Sequence, residues 1–543
     1  MTTAAIRPRS GRDITRATAV MSVGTALSRL TGLLRVLALI YAVHTATLAD
    51  SYNLANTMPN IVVDLMLGGI VAATFVPVFV QYLTERSDDE AWEAISAVVS
   101  VTVVAIGIAS VAFLAAAPLI IHGMTLLDHS RAVGAERNLA TELLVLFVPQ
   151  LTCYGLMTVA TALLNARRSF AAPMFAPIAN NLVLIGVLVL FGTIVRDRTP
   201  SAVEHHQGLV LLLGLGTTVG VAVQAAVMVP SLRRVGLRLR WAPRLRHQAV
   251  RTIVRLSGWT MGLVVANQLA LLVVLALLAR TAGDVSAYTY AYTFFQLPYG
   301  VVAMSIMSAT APELAEHWTV RDLDAFRRRF GSALRRMLAI IVPAAALLVV
   351  LGRPLLDLVG AVVAHPTSTA ATGLALSMLA LGLPGFCVFI YGVRALQAIQ
   401  DLRSAFWLYA LENGVNIVLA VVLAGPAHLG LRGVTLSISI AYTVAAVAAL
   451  VRLRNRVEAV SAEPLGRPLG RIAVSTAALV VGAALTVNLS ASTSAAGLLV
   501  RVTLGLAGAA AGYVGAAGIL GVVAHRRRPR RTPAHLRRGR LHR

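Results

Sequence analysis

Two arginines lie inside an apolar stretch near the start of the chain that is long enough to cross a bilayer. Arg29 and Arg35 occur within residues 17–43, whose other side chains are mostly apolar. An arginine at mid-membrane depth costs at least about 3 kcal/mol, so a functional role is the default hypothesis for both. The guanidinium group stays charged, and its planar set of donors matches phosphate and carboxylate oxygens. The pair therefore predicts a water-filled cavity that receives an anion. In a helix the two arginines are about 9 Å apart along the axis and about 120° apart around it. They can therefore contact different parts of one large head group.

A stripe of polar residues follows in the next apolar segment. It is formed by Asp50, Asn53, Thr57, Asn60 and Asp64, at spacings of three and four residues. This spacing places them on one face of a helix. Unsatisfied amides and carboxylates are costly in hydrocarbon, so the stripe is expected to face protein or a cavity.

Two interpretations of the stripe remain open. In the structural one, the polar groups bond to neighbouring helices, and Asp50 and Asp64 neutralise Arg29 and Arg35 as ion pairs. In the functional one, the stripe lines the path of the substrate. The two interpretations are compatible with each other.

A possible cation site lies later in the chain. Glu412 and Asn416 are one helical turn apart, and a carboxylate with an amide oxygen could hold Na⁺ or take a proton. Asn267 and its neighbour Gln268 are candidates to complete this site. A packed polar pair or a protonated glutamate explains Glu412 and Asn416 equally well, and an adjacent Asn and Gln in a membrane helix more often bond to the next helix. The twelve histidines show no ligand spacing, so no metal site is predicted.

The composition identifies the setting as a membrane. Hydrophobic residues make up 57% of the 543 residues, and the mean hydropathy is +0.78. These values leave too little polar surface for a water-soluble protein, so we predict an all-α polytopic membrane protein. Cys153 and Cys387 lie far apart in apolar segments, and we interpret both as packing residues.

Apolar runs of membrane-spanning length predict about fourteen transmembrane helices. The predicted spans are 17–43, 51–82, 92–121, 138–164, 172–195, 208–230, 249–279, 285–313, 331–352, 370–395, 404–425, 429–451, 472–490 and 496–524. Of the 47 basic residues, all arginines, 37 fall on the side of the amino terminus, 8 on the other side and 2 within the first span. The positive-inside rule then places both termini in the cytoplasm.

The chain also shows signs of an internal duplication. A shift of 236 residues places Arg167 on Arg403 and Asn180 on Asn416. Such a duplication predicts two pseudo-symmetric six-helix lobes around a central cavity, followed by two further helices. The expected units are a basic amino terminus (1–16), an N-lobe (17–230), a basic linker (231–248), a C-lobe (249–451), the two last helices (472–524) and an arginine-rich tail (525–543).

Seven segments resemble the MurJ (MviN) family of lipid II flippases, within the multidrug, oligosaccharidyl-lipid and polysaccharide exporter superfamily. They are SRLTGLLRVLALIYAV (28–43), LADSYNLANTMPNIVVDLMLGG (48–69), FVPVFVQYL (75–83), LLNARRSFAAPMFAPIANN (163–181), RLSGWTMGLVVANQ (255–268), FQLPYGVVAMSI (295–306) and RALQAIQDLRSAF (394–406). The resemblance implies movement of an undecaprenyl-diphosphate-linked peptidoglycan precursor across the bacterial plasma membrane. It also implies that Arg29 and Arg35 are basic cavity residues, and that Asp50 is the acidic residue near the start of the second helix.

The chain departs from the family pattern at three places. Family members carry basic residues at positions that read here as Val63 or Asp64 and as Thr293, and often an acid at the position of Gly68. Two contacts to a diphosphate are therefore missing. This departure leaves open a different way of holding the head group, or a paralogue with another substrate.

The residues thus predict a transporter that flips lipid II, with Arg29, Arg35, Asp50, Asn53, Asn60 and Asp64 in the substrate path. Na⁺, H⁺ or the membrane potential would supply the coupling. The alternatives are a flippase for another lipid-linked oligosaccharide, a multidrug antiporter, or a non-transporting scaffold for cell-wall synthesis proteins. An enzyme is not expected, because no nucleophile or phosphate-binding glycine loop is evident. We expect the basic tail to contact anionic lipids and not nucleic acid.

Overall fold

The protein is built from helices joined mostly by short connections. The computed structural model describes residues 11–43, 47–67, 74–128, 133–167, 169–256, 258–363, 369–457, 466–489 and 494–520, and those residues contain no β-strand. Among them, twelve helices are long and apolar enough to cross a membrane, or thirteen with one bent pair. This result confirms the predicted polytopic all-α class and comes close to the predicted fourteen spans.

The helices of the first half of the chain are α1 Gly11–Val43, α2 Thr47–Leu67, α3 Val76–Glu85, α4 Asp88–Met124, α5 Val133–Ala166, α6 Ala171–Ile194, α7 Pro200–Glu204 and α8 Gln207–Arg234. Those of the second half are α9 Gln248–Leu256, α10 Gly258–Leu278, α11 Asp284–Pro298, α12 Met304–Thr319, α13 Leu323–Val363, α14 Ala370–Leu381, α15 Leu383–Ala398, α16 Leu402–Ala424 and α17 Gly430–Val457. The last two are α18 Gly466–Val487 and α19 Ala495–Leu520. A π-helical turn, Tyr299–Ala303, joins α11 to α12.

The two halves repeat one pattern of helix pairing. In the N-lobe, α1 packs on α6, α6 on α8, α2 on α5 and α4 on α5. In the C-lobe, α10 packs on α16, α16 on α17, α11 on α14 and α13 on α14. The last helices, α18 and α19, pack on each other and on α13. The lobes meet through α1 and α2 on one side and α10 and α11 on the other.

Three predicted spans differ from the observed helices. The second is divided between α2 and α3, and residues 68–73 between them lie outside the described part of the chain. The tenth is the bent pair α14 and α15, whose axes differ by 49°. The seventh was expected to begin at residue 249; residues 248–256 form α9, which packs on α3 and α4, and α10 begins at Gly258, with residue 257 outside the described part of the chain.

Candidate functional site

A cavity of about 530 Å³ lies inside the N-lobe and is closed on one side by α11. We call it the arginine cavity. Its polar lining residues are Thr25, Ser28, Arg29, Arg35, Tyr154, Asn180, Asn181, Gln224, Tyr292, Thr293 and Gln296. Among the described residues, Arg29 and Arg35 are its only charged lining residues, so the structure brings both predicted cations to one cavity.

Arg29 is positioned by contacts that cross from the N-lobe to α11. Its Nη1 donates to Oε1 of Gln296 at 3.4 Å. At Gly300 a β-carbon would come within 3.1 Å of Arg29 Nε, so the glycine leaves room for the guanidinium group. The arginine is therefore held loosely, with donors left over for a ligand.

The expected ion pairs between the stripe and the arginines are wrong. Among the described residues, neither Arg29 nor Arg35 pairs with a carboxylate. Asp50 and Asp64 bond to other groups, as described below. Two cations that share a cavity without an acid leave a positive potential that favours a bound anion.

Amide side chains complete the arginine cavity. Asn181 Nδ2 donates to Thr31 Oγ1 at 3.0 Å and to the Ser28 carbonyl at 3.3 Å, which ties α6 to α1 beside Arg29. Asn180 is buried, and its Oδ1 has no hydrogen-bond partner. Asn180 lines this cavity and its predicted repeat equivalent Asn416 lines the second one described below. The sequence analysis did not predict the amides of α6 as site residues, although the repeat had singled out Asn180.

Asp50 joins the two lobes near one end of the helices. Its Oδ1 accepts from the Ser286 amide at 2.7 Å and its Oδ2 from the Gly283 amide at 2.6 Å. Asp50 is 4% exposed, and Gly283 has a left-handed φ of 89° that favours glycine. The carboxylate thus satisfies free amides at the start of α11, where the helix dipole also favours a negative charge.

The remaining stripe residues divide between interhelical bonds and open space. Asn53 is buried, and its Nδ2 has no hydrogen-bond partner within the described residues. Asp64 accepts from Gln268 Nε2 of α10 at 3.0 Å. Asn60 is exposed, and its Nδ2 donates to the Asn56 carbonyl of its own helix at 2.9 Å. Among the described residues, the linings of the arginine cavity and of the second cavity described below include none of these predicted substrate-path residues, and their substrate role stays a prediction. They are Asp50, Asn53, Asn60 and Asp64.

A second cavity, of about 450 Å³, lies inside the C-lobe. We call it the carboxylate cavity. Its polar lining residues are Thr57, Asn267, Gln268, Tyr288, Thr289, Tyr292, Thr293, Tyr409, Glu412, Asn413, Asn416 and Tyr442. Glu412 is its only charged lining residue, and the three predicted cation-site residues Asn267, Glu412 and Asn416 all line it.

Glu412 differs from its amide neighbours in having no partner. It is 5% exposed and forms no hydrogen bond or ion pair within the described residues. Asn267 Oδ1 accepts from Asn413 Nδ2 at 2.7 Å, and Asn416 Oδ1 accepts from Ser437 Oγ at 3.0 Å. Each amide oxygen keeps a second lone pair. The set offers oxygen ligands of the kind that hard cations prefer.

One helix separates the two cavities. Tyr292 and Thr293 of α11 line both of them. Thr293 stands at a position where a base was expected from the family pattern, so the shared wall is neutral here. The charges are therefore segregated, with two cations on one side of α11 and one acid on the other.

Comparison with known sequences gives a consistent result. A sequence model of the family described as lipid II flippase MurJ matches residues 40–507. A Rhizobium meliloti protein named probable lipid II flippase MurJ is 27% identical over 402 residues, covering 73% of this chain and 72% of that protein. A Burkholderia cenocepacia protein named lipid II flippase MurJ is 24% identical over 456 residues, covering 82% and 84%.

Solved structures share the fold. A lipid II flippase MurJ in an inward closed conformation aligns with a TM-score of 0.74 and 19% identity, over 92% of this chain and 99% of that one. An inward-facing MATE family multidrug transporter of the MOP superfamily aligns with a TM-score of 0.63 and 14% identity, over 81% and 99%. At these identities the likeness concerns the architecture alone.

Proposed function

Because the chain belongs to the lipid II flippase MurJ family, we propose that it carries lipid II from the inner to the outer leaflet of the bacterial plasma membrane. Lipid II is a polyprenyl-diphosphate carrier bearing a sugar–peptide head group, and the diphosphate is its most concentrated negative charge. A protein that moves it needs an anion site in water and a way to expose that site to each leaflet in turn. The protein acts as a transporter, with no bond made or broken.

The observation that carries this proposal is the arginine cavity. Arg29 and Arg35 line it without an acidic partner among the described residues, beside a set of amides and tyrosines. Guanidinium groups bind phosphate oxygens in pairs, and amides bind sugar hydroxyls and peptide carbonyls. We place the diphosphate at the arginines and the head group toward Asn181, Gln224 and Gln296.

Rocking of the lobes would move the site between the leaflets. The lobes meet mainly through α1, α2, α10 and α11, and the polyprenyl tail can stay in lipid while the head group crosses in water. Asp50 would hold one end of the lobe interface closed through its bonds to α11, and opening that end would break them.

The test is complementation in a bacterium depleted of its own flippase. The native chain, Arg29→Ala, Arg35→Ala and a matched control, Arg432→Ala, are supplied at equal membrane abundance. Arg432 is exposed at the start of α17 and lines neither cavity. We expect the native chain and the control to restore lipid II in the outer leaflet, and each cavity variant to lose at least about tenfold of that activity, as removal of a charged contact worth about 1.5–3 kcal/mol predicts.

Two results would count against the proposal. Failure of a well-expressed native chain to expose lipid II would favour another lipid-linked oligosaccharide, in line with the missing bases at Val63 or Asp64 and at Thr293. Full activity of both arginine variants would remove the arginine cavity from the mechanism. The melting temperature of each purified variant would show whether its loss from the membrane reflects a loss of folding stability.

We further propose that the carboxylate cavity couples transport to Na⁺ or H⁺. Glu412 would take the cation, with oxygens of Asn267 and Asn416 completing the site. Replacing Glu412 with Gln keeps the shape and removes the charge. Transport by the native chain should respond to a Na⁺ or pH gradient, and Glu412→Gln should transport at a rate that no longer responds. An unchanged response in this variant would exclude the site.

The charge distribution supports an orientation with both termini in the cytoplasm. The excess of arginine in alternate connections carries this proposal, through the positive-inside rule. Reporter fusions at residues 16 and 530 should both score as cytoplasmic. The basic tail would then contact anionic lipids of the inner leaflet, and cell-wall synthesis proteins are candidate partners at the same surface.

One observation favours a second candidate function. A buried carboxylate in a cavity is what a multidrug antiporter would need to bind an organic cation, and Glu412 lies in one. Drug-resistance profiles of cells with and without the chain separate the two functions. Resistance that depends on Glu412 and not on Arg29 would support the antiporter.

A further inference from the structure

The segment that connects the two lobes runs along the surface of the N-lobe. It comprises residues 235–256, from the end of α8 through α9, and we call it the strap. Two backbone amides of the strap donate to side chains of α4. The Arg240 amide donates to Ser96 Oγ and the Ala242 amide to Ser100 Oγ, both at 3.0 Å. An irregular chain is thereby fixed to a helix at two points a turn apart.

Side chains fix the rest of the strap to the same surface. Arg244 forms an ion pair with Glu93 of α4, and the His247 ring lies 6.4 Å from the Tyr82 ring of α3. In α9, three apolar residues are buried against α3 and α4. They are Ala249, Val250 and Ile253. The strap is therefore part of the N-lobe, although it leads directly into the C-lobe.

Three large apolar side chains of the strap are mostly exposed. Trp241 is 66% exposed, Leu245 is 72% exposed and Val254 is 69% exposed. A loop that only determines membrane orientation needs charged residues, but no exposed Trp or Leu. Exposure of such large apolar side chains to water is unfavourable. A surface rimmed with bases that presents Trp and Leu is typical of segments that lie in the head-group region of a bilayer.

The strap is also strongly basic. It contains six arginines and no acid. Five of them are exposed and have no ion pair within the described residues. They are Arg238, Arg240, Arg246, Arg251 and Arg255. The only acid that neutralises an arginine of the strap there is Glu93, which pairs with Arg244.

We propose that the strap is a binding surface for anionic phospholipid head groups of the leaflet it faces. Trp241, Leu245 and Val254 enter the head-group region, and the free arginines bind phosphate groups around them. The membrane is favoured over an acidic protein partner because the strap already belongs to a membrane-embedded lobe and its exposed apolar residues are flanked by bases along its length. This surface is independent of which substrate the cavities carry.

Such binding has a mechanical consequence. The strap is fixed to α3 and α4, so lipid bound to it holds the N-lobe and not the C-lobe. The C-lobe begins at Gly258, directly after the strap. Rocking then moves the C-lobe against an N-lobe anchored to the leaflet.

The test uses the full-length protein in nanodiscs and by native mass spectrometry. The strap variant is Arg246→Gln with Arg251→Gln and Arg255→Gln. The control variant removes the same charge from exposed arginines elsewhere on the same side of the membrane, and it carries Arg321→Gln, Arg328→Gln and Arg454→Gln. Phosphatidylglycerol is the probe, and phosphatidylcholine is the comparison lipid.

We expect retained phosphatidylglycerol to fall selectively in the strap variant. Each arginine near an anionic surface contributes roughly fivefold, so three give up to about 100-fold weaker retention. The control variant should retain the lipid as the native chain does. Equal retention by the native chain and the strap variant, or equal loss in both variants, would overturn the proposal.

A spin label gives a second readout that does not depend on charge. Leu245→Cys is labelled in a chain carrying Cys153→Ala, since Cys387 is buried and unreactive. In nanodiscs of equal parts phosphatidylglycerol and phosphatidylcholine, the label should be more accessible to oxygen than to a water-soluble nickel complex. A label that is reached freely by nickel would show that the strap lies in water and would refute the proposal.

Discussion

At the scale of single residues, the carboxylate of Asp50 holds α2 to the start of α11 through two backbone amides. The types and depth of Arg29 and Arg35 predicted a cavity, and both line one. The partners of Asp50 could not be predicted, because they are backbone amides 233 and 236 residues away that no side-chain pattern reveals. A backbone donor has no sequence signature, whereas an arginine in a membrane helix does. The stripe on α2 identified polar groups that need partners, but not which partners they have.

Removing the Asp50 carboxylate should destabilise the lobe interface. Asp50→Ala leaves the buried amides of Gly283 and Ser286 without an acceptor, which costs about 1–3 kcal/mol for each. Asp50→Asn keeps one acceptor oxygen and should cost less. The melting temperature of the purified protein should fall in the order native, Asn variant, Ala variant. Asp89→Ala, at an exposed position in the first turn of α4, is the control. Equal melting temperatures for all four proteins would contradict this role of Asp50.

Whole helices were predicted better than their ends, for a physical reason. A span must satisfy its backbone hydrogen bonds internally, so hydropathy alone reveals it.

Glycine contacts determine how the last two helices approach each other. Gly508 and Gly512 of α19 form a G-x-x-x-G pattern, and β-carbons there would collide with the carbonyls of Gly482 and Ala478 of α18. The two backbones thus touch, as small residues at such spacing allow.

A large side chain at this contact should separate α18 from α19. Gly508→Leu has no space and should destabilise the pair by about 1–3 kcal/mol, the usual cost of overpacking. Gly515→Leu is the matched control, because no atom lies within 4 Å of a β-carbon at that position of the same helix. Disulfide cross-linking between cysteines placed in α18 and α19 should fall for the first variant only. Loss of cross-linking in both would mean that the glycines do not set the contact.

The start of α16 should be sensitive to acid. Asp401 accepts from the Ser404 amide at 3.1 Å and pairs with Arg456 at 3.2 Å and Arg452 at 3.5 Å, which ties α16 to α17. Burial acts to raise the pKa of Asp401, but the bonds from Ser404 and the two arginines outweigh it and lower the pKa below the usual 3.8.

A carboxyl whose pKa is lowered on folding stabilises the protein above its unfolded pKa, and this stabilisation is lost as the pH falls through the folded value. Asn can still cap the helix but carries no charge for Arg452 and Arg456, so Asp401→Asn should melt below the native chain at neutral pH, by the equivalent of about 0.5–1 kcal/mol. The difference should shrink below about pH 4. A difference that stays constant down to pH 2 would contradict the assignment.

At the scale of the whole molecule, charge separates the lobes. The N-lobe holds the two cations that face the arginine cavity, and the C-lobe holds the acid of the carboxylate cavity. The sequence analysis already assigned the arginine pair and Glu412 to different lobes. That the two cavities share α11 as a wall could not be predicted, because the order of helices in the chain does not reveal which faces enclose a common space.

Transport of a lipid-linked diphosphate should respond to voltage. An interior that is 100 mV negative favours outward movement of each negative charge by about 2.3 kcal/mol. In proteoliposomes with a potassium gradient and valinomycin, outward flipping of lipid II should be faster with a negative interior than with a positive one. A rate independent of the sign would mean that the charge of the substrate is neutralised while it crosses.

The shared wall of the two cavities also imposes a reciprocity. Tyr292 and Thr293 face both spaces from one helix, which continues into the π-helical turn beside Arg29. If a cation at Glu412 shifts α11 so that an anion binds more tightly on the other side, thermodynamic linkage requires that the anion tighten the cation by the same factor. The helix would then couple the binding of two ligands of opposite charge. An affinity measured for either ligand would have meaning only at a stated concentration of the other.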